Sequence, residues 1–303
     1  MDSQSEKSLV VTGLDRRGSG RATQGWANGF LGMLIFSGSL PATRVAGSDP
    51  LFLTAVRAAI AALLALCALW VTRQARPARA DLPALLSVAI GVVIGFPLLT
   101  ALALQHTTSA HSLVYIGLLP LATACFGVLR GGERPKPAFW AFSVAGGLLV
   151  AAFALSQSSG GGWQGDALMV GAVLLCGLGY AEGAVLSRRI GGWQVISWAL
   201  ALALPLTLAA AILTAPGGWP AVSGGAWLSL FYVSVFSMWI GFIFWYRGLA
   251  QGGIAAIGQL QLLQPFFGLA LAGLVLHERV QPAMIAVMAG VLVCVFGAKR
   301  FAR

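Results

Sequence analysis

ALALQHTTSAHSLVYIGLLPLATACFGVLRGGER at residues 101–134 and YRGLAQGGIAAIGQLQLLQPFFGLALAGLVLHER at residues 246–279 are the two stretches that decide the fold of this chain. At an offset of 145 residues Pro120 falls on Pro265, Glu133 on Glu278, Arg134 on Arg279 and Pro137 on Pro282. Ala110 and Ala255 carry the register backwards. Self-similarity at a fixed offset means that one structural unit has been used twice.

Working outward from these blocks, the chain divides into apolar segments. A transmembrane helix needs about 20 mainly apolar residues to cross roughly 30 Å of hydrocarbon. Segments of that length fall near 25–43, 51–72, 82–104, 109–130 and 138–156, then 166–187, 194–214, 226–247, 254–276 and 280–298. Clusters such as SQSSGGGWQGD and TAPGGWPAVSGG separate them. The expectation is an all-α integral membrane protein of ten transmembrane helices, in two five-helix repeats around a central cavity. Its parts are a polar tail at 1–24, a first repeat at 25–160 and a second at 161–303. Five is odd, so the second repeat enters the membrane upside down relative to the first, the plan of many secondary transporters.

Composition agrees. Of 303 residues 58% are hydrophobic and 9% charged, against about 25% charged in an ordinary soluble domain. The formal charge of +10 does not point to nucleic acid, because the cations cluster at the ends of apolar runs rather than along one face. Counted at alternate ends, one set holds sixteen Lys and Arg, from the tail through Arg73, Arg130, Arg188 and Arg247 to Arg303. The opposite set holds Arg44 and Arg279, and Arg57 lies inside the second span. Positive residues stay on the cytoplasmic side, which predicts that both termini are cytoplasmic. The polar first 24 residues carry Lys7, Arg16, Arg17 and Arg21 ahead of a full-length apolar segment. That segment is expected to be an anchor and not a cleaved signal. Cys67, Cys125, Cys176 and Cys294 each sit within an apolar run without CxxC spacing, so helix packing is expected and a metal site or other cofactor is not.

The two quoted blocks resemble the EamA-like families of the drug/metabolite transporter superfamily. In each, a short helix break precedes a span with a central proline and a terminal Glu-Arg. The resemblance implies a carrier of small molecules in the bacterial inner membrane, working by alternating access. It also implies a cavity between the first, third and fourth helices and the sixth, eighth and ninth. Within the superfamily the chain is similar to the YddG-type branch, which implies export of aromatic or other hydrophobic amino acids. Export of other metabolites or of cationic drugs, or a channel-like facilitator, stands as the alternative.

Candidate residues follow from depth and spacing. Tyr232, Phe236, Trp239 and Ile243 recur at helical spacing in the eighth span, an aromatic stripe able to stack on a flat substrate or to pack against lipid and neighbouring helices. Gln261 and Gln264 share a face ahead of Pro265 and suit a substrate's polar groups or interhelical bonding. Tyr115 lies on a stripe with His111 and Leu118 in the fourth span. Pro120 and Pro265 each remove a backbone hydrogen bond and are candidate hinges or static bends. The acid within an apolar run is Glu182, and an intramembrane ionisable group is a functional candidate by default. It either carries a coupling proton or closes the cytoplasmic side through a salt bridge to Arg247. Arg57 is expected to snorkel or to bond backbone carbonyls. The pairs Gly91 with Gly95 and Gly179 with Gly183 predict close helix approach. An enzyme is not expected: the spans hold no Asp pair for an aspartyl protease, no HExxH and no GxSxG, and the chain has no GxxxxGK[ST] phosphate loop. The expected partners are a small-molecule substrate and the lipid bilayer.

Overall fold

The structure is a computed structural model that describes residues 3–46, 49–103, 105–106, 115–156, 162–215, 224–276 and 282–302. His111, Glu278 and Arg279, named above, lie outside the described residues. Fourteen α-helices make up the described chain: α1 Ser3–Ser37, α2 Ser39–Ala46, α3 Pro50–Val71, α4 Leu82–Val88, α5 Phe96–Ala103, α6 Leu119–Gly131, α7 Pro137–Ser156, α8 Trp163–Ile190, α9 Gly192–Leu213, α10 Gly224–Phe231, α11 Gly241–Gly252, α12 Ile254–Gly258, α13 Gln264–Leu276 and α14 Pro282–Phe301. Helix α1 begins within the segment expected as a polar tail. Among the described residues five continuous helical stretches are long and apolar enough to cross a membrane: Pro50–Val71, Arg79–Ala103, Trp163–Ile190, Gly192–Leu213 and Gly224–Gly252. Leu119–Gly131 and Pro137–Phe153 are shorter apolar helices.

Local chemistry sets the boundaries. Asp49 caps α3, its carboxylate accepting from the amides of Leu51 at 2.9 Å and Phe52 at 3.0 Å, and Pro50 follows at the first helical position, where no donor is needed. Gly132, at φ 66°, ends α6 in the left-handed conformation that costs glycine least.

Three departures from α geometry matter more for the site. A π segment, Ala89–Gly95, joins α4 to α5, and a second, Tyr232–Ile240, joins α10 to α11. In each the residue that resumes the α-helix donates five residues back, Phe96 to Gly91 and Gly241 to Phe236. The two segments end at Gly95 and Ile240, separated by the repeat offset. Pro97 accounts for the first, because it has no amide proton to give and its ring crowds the carbonyl four residues before it. The third departure is a 3₁₀ segment, Gln259–Leu263, between α12 and α13, answered in the first repeat by a turn at Gly117 and Leu118. Pro120 and Pro265 therefore do not bend a running α-helix. Each is the second residue of a helix that starts afresh, at Leu119 and at Gln264.

Helix pairing carries the repeat into three dimensions. α1 packs along α11, and α8 packs along the stretch from α4 to α5; α6 lies on α8, and α13 lies on α1; α3 pairs with α9, and α7 with α14. Apolar side chains gain little by leaving lipid for protein, so close backbone approach supplies much of the attraction. A methyl on Gly91 would sit 2.5 Å from the Leu175 carbonyl oxygen, and one on Gly248 would sit 2.6 Å from the Gly29 nitrogen. Neither contact leaves room for a side chain.

Candidate functional site

At the middle of the bundle lies a cavity of about 200 Å³. Its deep part is built from Cys176 and Tyr180 of α8, Met238 of the second π segment, Phe242 of α11 and Gln264 of α13. Its walls rise past Phe36, Phe96 and Leu119 to Thr43, Pro50 and Ala101. The last three stand near the end of α2, the start of α3 and the end of α5, so the cavity extends toward the arginine-poor end of the molecule. Helices one, three, four, six, eight and nine of the sequence count all contribute, as the family resemblance implied. The second also contributes, through Leu53, Thr54 and Arg57 of α3, which was not expected.

The floor is aromatic. Tyr180 lies 5.4 Å from Trp245 between ring centroids, and Phe36 lies 4.8 Å from Phe242. Trp245 and Tyr246 are fully buried below, and the Tyr246 hydroxyl donates to the Gly179 carbonyl at 3.1 Å. These rings separate the cavity from the arginine-rich end.

That end is shut by acids. Glu133, in the turn after α6, accepts from the amide of Ile254 at 2.6 Å through Oε1 and from that of Ala255 at 2.8 Å through Oε2. It so caps the first turn of α12, and Arg188 of α8 donates to the same carboxylate at 3.2 Å. An anion bound by helix-terminal amides gains from the helix dipole as well as from the bonds. Glu182, buried on α8, pairs with Arg130 at the end of α6. This corrects the expected bridge to Arg247, which is exposed. Residue 130 ends the helix that lies on α8, whereas residue 247 turns away from it. Buried Asp81 is in ionic contact with Arg189 through Oδ1, off hydrogen-bond alignment, while its Oδ2 accepts from the Ala78 amide at 3.2 Å. Three acids thus tie the ends of α6 and α8 and the segment before α4 into one plug.

Of the six residues expected to bind substrate, Gln264 lines the cavity. The other five do not. Trp239 donates through Nε1 to the Ser197 hydroxyl of α9 at 2.9 Å, a bond between helices. Tyr232 donates to the Ile35 carbonyl at 2.7 Å and stacks on Phe236, which is exposed. Tyr115 is within hydrogen-bonding and electrostatic reach of Asp166, near the start of α8. Gln261 is buried at 1% exposure beside Tyr180, away from the cavity lining. The stripe assumes α spacing, but the π segment from 232 to 240 changes the rotation per residue, so Ser237, Met238 and Phe242 line the cavity instead. Sequence reasoning also passed over Tyr180 and the hydroxyls of Ser39, Thr43, Thr54 and Thr100. Pro97 was the available signal that helix register shifts at this depth.

The EamA-like transporter family model matches the chain twice, over residues 24–156 and 163–298. An uncharacterized transporter, YdeK, of Bacillus subtilis (strain 168) is 66% identical over 285 residues, covering 93% of this chain and 99% of that protein. A solved crystal structure of a protein superposes with a TM-score of 0.77 at 20% identity, covering 90% of this chain and 97% of the other; that likeness concerns the fold alone. Two copies of the family unit, a near full-length relative and an all-helical bundle around a cavity lead to one conclusion: the chain is a multi-pass membrane transporter belonging to the EamA-like transporter family.

Proposed function

We propose that the protein is a secondary transporter of ten transmembrane helices in two inverted repeats, and that it moves small, largely apolar metabolites, hydrophobic amino acids among them, by alternating access. The observation that carries this reading is the asymmetry of the cavity. It extends toward the arginine-poor end while an aromatic floor and three paired acids seal the arginine-rich end, the arrangement of a carrier open to one side at a time. A channel would be continuous. The volume suits a single amino-acid-sized molecule better than a drug-sized one, whose pockets run from about 300 Å³ upward. The charge pattern supports both termini and the acid-sealed end being cytoplasmic; the bacterial relative supports an inner membrane setting, and the family resemblance is what favours export as the working direction.

Uptake of labelled tryptophan, phenylalanine, threonine and a cationic drug into liposomes holding the purified protein, with and without a pH gradient, tests it. Saturable aromatic amino acid transport with mutual competition is expected. Flux that never saturates would make the protein a channel-like facilitator, and movement of the cation alone would replace the substrate class.

A further inference from the structure

Arg57 lies seven residues into α3 from Pro50, roughly 10 Å along the axis at 1.5 Å per residue. It does not snorkel to the lipid interface. The side chain is partly buried, with its Nε wholly buried, and it lines the cavity. Among the described residues it takes part in no ion pair, and its Nε has no hydrogen-bond partner. A cation inside a bilayer costs several kcal/mol unless something answers its charge. The basic residues of the seal, Arg130, Arg188 and Arg189, each face an acid; Arg57 faces the cavity.

The surroundings of Arg57 fit an anion. Thr54, three residues before it on the same helix face, lines the cavity, as do the hydroxyls of Thr43 and Ser39. Thr100 Oγ1, buried and also without a partner, completes the polar patch. No Asp or Glu is among the described residues that line the cavity. Phe36, Phe96, Met238 and Phe242 also line it and supply apolar surface for the body of a ligand. A guanidinium presents its donors in a planar fork that matches the two oxygens of a carboxylate.

We propose that Arg57 is the anion-recognising residue of the cavity and that the substrates are carboxylates on an apolar body, to the exclusion of cations. Zwitterionic amino acids and simple hydrophobic acids share this chemistry; the ammonium of the former meets hydroxyls, the Gln264 carbonyl and aromatic faces. A cationic molecule would bring a second positive charge beside Arg57, with no acid among the described lining residues to offset it. The proposal rests on the transporter reading for what happens after binding, but binding itself can be measured apart from transport.

The test uses three probes matched in ring and chain: phenylalanine, 3-phenylpropionate, which lacks the ammonium, and phenethylamine, which lacks the carboxylate. Calorimetric titration of the full chain in phosphatidylcholine nanodiscs is expected to show binding of one or both carboxylates and none of the amine. R57Q is expected to weaken carboxylate binding by about tenfold or more, and R57K, which keeps the charge and loses the fork, by less. If R57Q does not fold, R57K and the three-probe series on the unaltered protein still decide. Binding of the amine as tight as that of the acids, unchanged acid binding in R57Q, or binding of none of the probes would each overturn the proposal. Transport assays on the same preparations separate the two readings. Amine transport without acid transport would sink the role of Arg57 and leave a transporter. Arg57-dependent acid binding without transport of any probe would leave the site and sink the carrier.

Discussion

The two ends of the molecule treat the same residue types in opposite ways. At the arginine-rich end Glu133, Glu182 and Asp81 each meet a basic side chain, and Glu133 and Asp81 also satisfy backbone amides. In the cavity that reaches toward the other end, Arg57 Nε and Thr100 Oγ1 are buried without partners. An unsatisfied polar group costs most where water is scarce. A protein that pairs its buried acids with cations at one end and leaves a cation and a hydroxyl unpaired in the middle has its seal in the first place and its binding chemistry in the second.

The comparison can be broken first at the seal. Glu133→Ala removes the acceptor for the Ile254 and Ala255 amides and the partner of Arg188, and should destabilise the observed state by about 3 kcal/mol. Thermal unfolding in detergent checks it, and a midpoint within a degree of the parent would mean that the plug holds without its cap. In the cavity, Gln264→Ala should raise KM for a transported substrate several-fold, on the order of one lost hydrogen bond, with little change in unfolding midpoint. An unaltered KM would remove α13 from the site. Glu182→Gln tests which role Glu182 has. Its pairing with a half-exposed Arg130 makes it part of the seal, so saturable transport and any pH-gradient response should persist with a rate change of a few-fold. Loss of the pH response alone would reassign Glu182 to proton coupling. The smallest effect belongs to Trp239→Phe, which gives up one bond to Ser197 worth about 1 kcal/mol; KM should not move, and a KM shift like that of Gln264→Ala would restore Trp239 to the binding surface.

Much of the fold was legible in the chain because hydrocarbon imposes a length and a polarity on every segment, and because the repeat from Pro120 to Pro265 marks the same helix start twice. The site was less legible. Its geometry depends on where helices stop being α, and the Tyr232–Ile240 π segment turns Ser237 and Met238 inward in place of Phe236 and Trp239. Glu182 stood out as an acid in an apolar run, but its partner follows from α6 lying on α8, a packing choice that no local pattern records. Arg57 was visible as a cation within a span. Its role was not, since sequence spacing separates a snorkelling arginine from a cavity-lining one only when the neighbouring helix is known.

The most direct test of the central claim is side-specific labelling of Thr100→Cys, in a background without the four native cysteines, by a membrane-impermeant maleimide applied to each face of sealed vesicles. The account predicts labelling from the arginine-poor face, slowed by a bound carboxylate substrate. Labelling from the arginine-rich face alone, or at a rate that no substrate alters, would contradict it.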